Sequence, residues 1–232
     1  MSKKIAFLTT IFPMKVEYLY DFCDSLQSQT YKDFDIVVLN DGCKDFDKLK
    51  MKYKELSFIE LKYSNTIAKN REYAINYVID NNYDILIFGD SDDYFSHNRV
   101  EKSIELLNHY DIVVNDLSLF REEGIYCQKY ISNRINNNVK IDFEFIKDKN
   151  IFGLSNTALN MYILDRVVFN QDLVAVDWFL FKKLLKNNNS AIFTNETETF
   201  YRQYESNTLG LDIVNNAYPL WWEDINTIKG KD

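Results

Sequence analysis

Apolar residues in this chain come as short continuous runs, and the segments between the runs carry apolar residues at helical spacing. Ile5 to Thr10 is such a run and predicts a strand. Val16, Leu19, Tyr20, Cys23 and Leu26 then recur on one helical face. Phe34 to Asn40 is a second apolar run, closed by the turn signal Asn40-Asp41-Gly42. A charged helix is expected near residues 45–55, a third strand over Phe58 to Tyr63, and a helix from about Thr66 to Asn81 with Ile67, Ala74, Ile75 and Val78 on one stripe. Ile85 to Phe88 is the most apolar run, the mark of a strand buried on both faces of a parallel sheet. Val100, Ile104 and Leu107 place a helix after it. Four alternations of strand and helix predict an α/β fold with a mostly parallel sheet and right-handed crossovers.

The second half of the chain is less regular. Ile112 to Leu119 reads as a strand, with Gly124 to Ile131 pairing as a hairpin. Val176, Leu180 and Leu184 mark a helix, and Thr197 to Gln203 one more strand. Pro219-Leu-Trp221-Trp222 is the aromatic feature of the C-terminal segment; burial in a core or interface is the ordinary role of such a pair. No Pro/Gly/Ser linker and no repeat divides the 232 residues. One domain over 1–232 is expected, with a first half of about 1–110 and a second of about 111–232.

Composition narrows the function. The formal charge is −8 with no basic stripe, which argues against nucleic acid as a partner. Three widely spaced cysteines imply neither a disulfide framework nor a zinc site, and two histidines leave little room for histidine-based metal chemistry. No apolar stretch reaches the length of a membrane span. A cytoplasmic protein is expected, with peripheral contact at the inner face of a membrane left open. The first strand is followed by neither a dinucleotide fingerprint nor a P-loop.

The chemistry concentrates at the end of the most apolar strand, in Asp90-Ser91-Asp92-Asp93. Ligands of open parallel sheets bind at the carboxyl ends of strands. Paired hard oxygens there suit Mg²⁺ or Mn²⁺, which commonly also bind substrate phosphates. The plain alternative is a solvated acidic turn before the helix that starts near Arg99.

Four segments, taken in order, resemble the family 2 glycosyltransferases of the GT-A fold. They are Ile5-Ala-Phe-Leu-Thr9-Thr10; Ser25-Leu-Gln-Ser-Gln29-Thr30 followed by the strand ending Asn40-Asp41-Gly42; Asn65 to Asn76; and Asp90-Ser91-Asp92-Asp93. The resemblance covers residues 3 to 110 well and about 150 to 210 more loosely. It implies a GT-A fold with a Rossmann-like sheet and an acceptor-binding second half. It also implies an inverting transfer of one sugar from a nucleotide-diphosphate sugar, a UDP-sugar, to a glycan or lipid-linked acceptor in surface polysaccharide assembly.

The resemblance also assigns residues. Thr9 and Asp41 would hold the base, with Asp41 accepting the uracil N–H. Lys69 or Arg71 would reach base or phosphates. Asp90 and Ser91 would contact the nucleotide sugar, and Asp92 with Asp90 the metal, Mn²⁺ or Mg²⁺. Ala175-Val176-Asp177-Trp178 is similar to the family's Glu-Asp motif, with Asp177 in the place of the base that deprotonates the acceptor. Each has a plainer reading: an Asx turn for Asp41, a surface cation for Lys69 or Arg71, a first-turn helix acid for Asp177.

The chain departs from the pattern in places. Ile11-Phe12-Pro13 stands where Tyr-Asn is usual, Asn40 replaces the first acid of Asp-Asp-Gly, and Asn70-Arg71 inverts Arg-Asn. Val176 replaces an acid, and Tyr204, in Tyr201-Arg202-Gln203-Tyr204, stands where a histidine often helps hold the metal. These changes keep a second possibility open, a non-catalytic nucleotide- or glycan-binding module. A sugar nucleotidyltransferase is a third; it would want a glycine-rich basic loop after the first strand, where this chain has Thr9-Thr-Ile-Phe-Pro13.

Overall fold

The computed structural model describes residues 3–147 and 150–204. Trp221 and Trp222 lie outside the described residues. The apolar runs become β1 (Ile5–Ile11), β2 (Asp35–Asn40), β3 (Phe58–Lys62) and β4 (Ile85–Phe88). Between them lie α1 (Val16–Gln27), α2 (Phe46–Lys52) and α3 (Ile67–Asp80). Thr66 caps α3, its hydroxyl accepting from the Lys69 amide. β2 lies parallel to β1 and β3, and β1 parallel to β4.

After β4 come β5 (Tyr94–Phe95), α4 (Arg99–Leu106), β6 (Ile112–Arg121), β7 (Gly124–Cys127), β8 (Lys140–Ile141), α5 (Phe143–Lys147), β9 (Thr157–Asn160), α6 (Val176–Lys186) and β10 (Ala191–Arg202). The sheet order is β3-β2-β1-β4-β9-β6-β10-β5, with β7 on β6 and β8 on β10. β6 and β10 are parallel, whereas β9 runs antiparallel to both its neighbours.

The structure adds one strand to those expected and moves the start of another. β9 sits at the centre of the sheet, although its sequence Thr-Ala-Leu-Asn lacks an apolar run; its buried Asn160 donates to the Leu107 and Tyr110 carbonyls. The final strand starts at Ala191, not near Thr197, and a register shift against β6 between Thr194 and Glu198 divides it.

Side chains alternate across the sheet and build a core on each face. Ala6 and Leu8 join Val37, Leu86, Val114 and Phe193 on one side. Ile5 and Phe7 join Ile36, Ile85, Val113 and Ile192 on the other. No helix among the described residues is long and apolar enough to cross a membrane.

Candidate active site

The carboxyl end of β1 meets the carboxyl end of β4 beside the first turns of α3. Side chains at successive strand positions point to opposite faces. Thr9 is therefore fully buried with its hydroxyl unpartnered, and Thr10 faces outward. Arg71 donates from Nη1 to Thr10 Oγ1 at 3.1 Å and from Nη2 to Asp90 Oδ1 at 2.7 Å. Ser91 is buried and donates to the Thr10 carbonyl at 2.7 Å, so the acidic turn is tied to the end of β1.

These residues line one cleft of about 180 Å³. The first half contributes Thr10, Phe12, Ile67, Arg71, Asp90, Ser91 and Asp92; the second contributes Leu154, Val174, Val176, Asp177, Tyr201 and Tyr204. Phe12 is 38% exposed on its rim, so an aromatic face survives where the sequence pattern departs from Tyr-Asn.

The acids behave differently. Burial, and then the neighbouring Asp90, push the Asp92 carboxyl above the usual carboxylate range, although the Tyr204 hydroxyl holds Asp92 Oδ2 at 2.7 Å. Asp93 is fully buried and does not line the cleft. Its carboxylate accepts from Ser155 Oγ and, at 2.8 Å, from the Arg202 amide. Burial, Asp92 and Asp90 push it well upward. Asp93 is thus a structural acid that fastens the turn to β10. Beneath it the buried guanidinium of Arg99 lies 4.5 Å from the Phe95 ring centroid and donates to the Phe88 carbonyl at 2.6 Å. Tyr201 titrates well above an ordinary phenol because of burial and then of Asp93, Asp90, Asp92 and Asp177, so its hydroxyl stays protonated.

The second half reaches the cleft because α3 anchors it. Buried Asn76 exchanges two hydrogen bonds with the Val167 backbone, both at 2.9 Å, and Glu72 accepts from the Phe169 amide at 2.6 Å. The chain then runs to Val174 and α6, whose first turn holds Asp177. Asp177 Oδ1 accepts from the Trp178 amide at 2.8 Å, a local bond that sets the carboxylate at the helix N-terminus.

Not every expected residue comes to the cleft. Thr9 does not line it, and its neighbour Thr10 does. Lys69 turns to Glu72 at 2.8 Å and is also absent from the lining. It precedes Arg71 by two residues, about 200° around a helix of 3.6 residues per turn. Asp41 is also absent from the lining; its Oδ2 accepts from Asn70 at 2.8 Å. Asn40 closes the turn, accepting from the Cys43 amide at 2.8 Å and donating to Glu60 at 2.8 Å. Arg71, Asp90, Ser91, Asp92 and Asp177 do converge.

The glycosyl transferase family 2 model matches residues 11–167. The chain belongs to that family. Glycosyltransferase GlyA of Streptococcus pneumoniae serotype 4 is 28% identical over 218 residues, which cover 84% of this chain and 30% of that protein. An uncharacterized glycosyltransferase of Rickettsia bellii is 26% identical over 150 residues, 60% of this chain and 21% of that one. The chain therefore spans less than a third of either relative's length. Among solved structures, S. aureus TarS 1-349 in complex with UDP-GlcNAc aligns with a TM-score of 0.67 at 15% identity, over 88% of this chain and 60% of its own. The mannosyltransferase PcManGT from Pyrobaculum calidifontis, in complex with GDP-Man and Mn²⁺, aligns with a TM-score of 0.65 at 13% identity, over 88% and 58%. The expected GT-A fold holds. The family model stops before Asp177, Tyr201 and Tyr204, so those three rest on the cleft geometry.

The donor set also bears on a metal. No cluster of three His, Cys, Asp or Glu side chains is present among the described residues. Asp90 and Asp92 supply two hard oxygen donors at one cleft. Such a pair fits Mg²⁺ or Mn²⁺ when substrate oxygens and water complete the shell.

Proposed function

We propose that this chain is the donor-binding and catalytic unit of an inverting glycosyltransferase that moves one sugar from a UDP-sugar to a hydroxyl of a glycan or lipid-linked acceptor in surface polysaccharide assembly. The observation that carries the reading is the convergence of Phe12, Arg71, Asp90, Asp92 and Asp177 on one cleft at the carboxyl ends of β1 and β4. The UDP-GlcNAc bound by TarS and the GDP-Man and Mn²⁺ bound by PcManGT support a nucleotide-sugar donor and a divalent metal.

In this reading Phe12 packs on the base, and Asp41, oriented by Asn70, accepts the N–H of uracil. Asp90 and Asp92 would hold Mn²⁺ or Mg²⁺, which when bound would offset the charge of the leaving diphosphate. Arg71 keeps Asp90 in place and adds positive charge on the same wall. Asp177 accepts the proton of the acceptor hydroxyl as its oxygen bonds to the anomeric carbon. The bond from that carbon to the diphosphate breaks, the electron pair leaves with the diphosphate, and configuration inverts.

The base assignment is tested with Asp177→Asn. The amide keeps the shape and an oxygen for the Trp178 amide but removes basicity. Transfer to acceptor is expected to fall by about 10² or more, within the contribution of general base catalysis. UDP-sugar affinity and melting temperature stay near wild type. Wild-type turnover in the variant would remove Asp177 from the mechanism. A wild-type protein that binds UDP-sugar but neither transfers nor slowly hydrolyses it would instead be a binding module.

A further inference from the structure

Tyr204 stands where a histidine often helps hold the metal in this family, and the structure shows what the phenol does instead. Its hydroxyl donates to Asp92 Oδ2 at 2.7 Å, and its ring packs against Tyr18 with centroids 5.7 Å apart. Two residues earlier, Arg202 donates from Nε to the main-chain carbonyl of Asp92 at 2.7 Å. Residue 92 is therefore gripped by backbone and by carboxylate from one short stretch at the end of β10. The grip is itself anchored. The Arg202 guanidinium lies 4.0 Å from the Tyr18 ring centroid and 4.4 Å from that of Phe120, and it reaches Asp21 Oδ2 at 2.5 Å.

We infer that Tyr204 is a positioning residue for the divalent cation: it occupies Asp92 Oδ2 and leaves Oδ1 to face the metal. This rests on the reading of Asp92 as a metal ligand. A phenol that donates its proton to a carboxylate is that carboxylate's partner, not a ligand in its own right. Carboxylates that bind metals are commonly fixed by such hydrogen bonds, and loss of the partner costs about 10–100-fold in metal affinity or activity. The cation then has few protein ligands and depends on diphosphate oxygens to complete its shell, so Mn²⁺ and UDP bind together.

The test uses the full chain, with free Mn²⁺ followed by electron paramagnetic resonance and UDP by calorimetry. Tyr204→Phe deletes the hydroxyl and keeps the ring. In the presence of UDP its Mn²⁺ affinity is expected to fall by about 10–100-fold, while UDP affinity measured in chelator stays at the wild-type value. Tyr204→Gln returns a hydrogen-bond donor and is expected to recover most of the loss; it also serves should the Phe variant fold poorly. Wild-type Mn²⁺ affinity in Tyr204→Phe overturns the inference. So does an equal loss of UDP binding in chelator, which would make Tyr204 a nucleotide contact or a packing residue. A wild-type protein indifferent to Mn²⁺ overturns the metal reading itself together with the inference, and that result differs from the other two because it appears without any substitution.

Discussion

Asn70 and Arg71 join the two acidic motifs at the level of single side chains. Asn70 holds Asp41 and Arg71 holds Asp90, so neighbouring residues of α3 set the ends of β2 and β4. Asn70 is 3% exposed, and its amide can hold Asp41 only in one orientation. If Asp41 reads uracil, its loss removes a charged hydrogen-bond partner, a cost of about 1.5–3 kcal/mol. Asp41→Ala should then weaken UDP by roughly ten- to a hundredfold, converted at 1.4 kcal/mol per decade, and flatten its preference over GDP. Competition binding with the two nucleotides checks this; an unchanged preference would leave Asp41 as a turn residue held by Asn70. The motif residues Asp90, Ser91 and Asp92 were legible in the sequence because a buried strand delivered them together. Thr9 and Thr10 are indistinguishable in the sequence because an apolar run has no visible face: on a strand buried from both sides, nothing in the residue types says which side chain points to the cleft. Lys69 and Arg71 were equally cationic on paper, and only the helical rotation separates them.

At the scale of elements, β4 carries the site, and Gly89 is the reason the strand can end where it does. A Cβ added there would fall 2.5 Å from Phe7 Cζ and 2.7 Å from Phe95 Cζ. Those rings pack edge-on at 5.2 Å between centroids within the core beneath the acidic turn. Gly89→Ala should therefore cost about 1–3 kcal/mol, the usual range for overpacking, and weaken UDP binding, because Gly89 directly precedes Asp90 in the acidic turn. Thermal melting and nucleotide titration of the variant measure both; unchanged values in both would show that the rings give way freely. The strands β1 to β4 could be read from their apolar runs, and α3 from its stripe and its Thr66 cap. β9 could not. Its Thr157 and Asn160 are buried, with Asn160 donating to the Leu107 and Tyr110 carbonyls at 2.8 and 3.0 Å. A strand that buries Thr and Asn side chains inside the sheet looks like a loop in composition. The first half of β10 escaped because the shift between Thr194 and Glu198 interrupts its pattern.

Over the whole molecule, one sheet runs from β3 to β5 and brings the two sequence halves to a common cleft. The first half supplies Arg71, Asp90 and Asp92, to which the proposed function gives the nucleotide diphosphate; the second supplies Asp177 and the two tyrosines. Neither half encloses the cleft alone, which explains why the first half was the more legible in sequence: its residues follow strand ends, whereas Asp177 reaches the site through the anchoring of Val167 and Phe169 on α3. The proposed function turns on Asp90 and Asp92 holding a divalent metal together with a nucleotide diphosphate. Calorimetric titration of UDP into wild type and Asp92→Ala, each with Mn²⁺ and with chelator, tests it most directly. Wild type should bind UDP more tightly with Mn²⁺ than with chelator, and Asp92→Ala should lose that difference while keeping the affinity seen in chelator. Equal UDP binding by wild type with and without the metal would contradict the account.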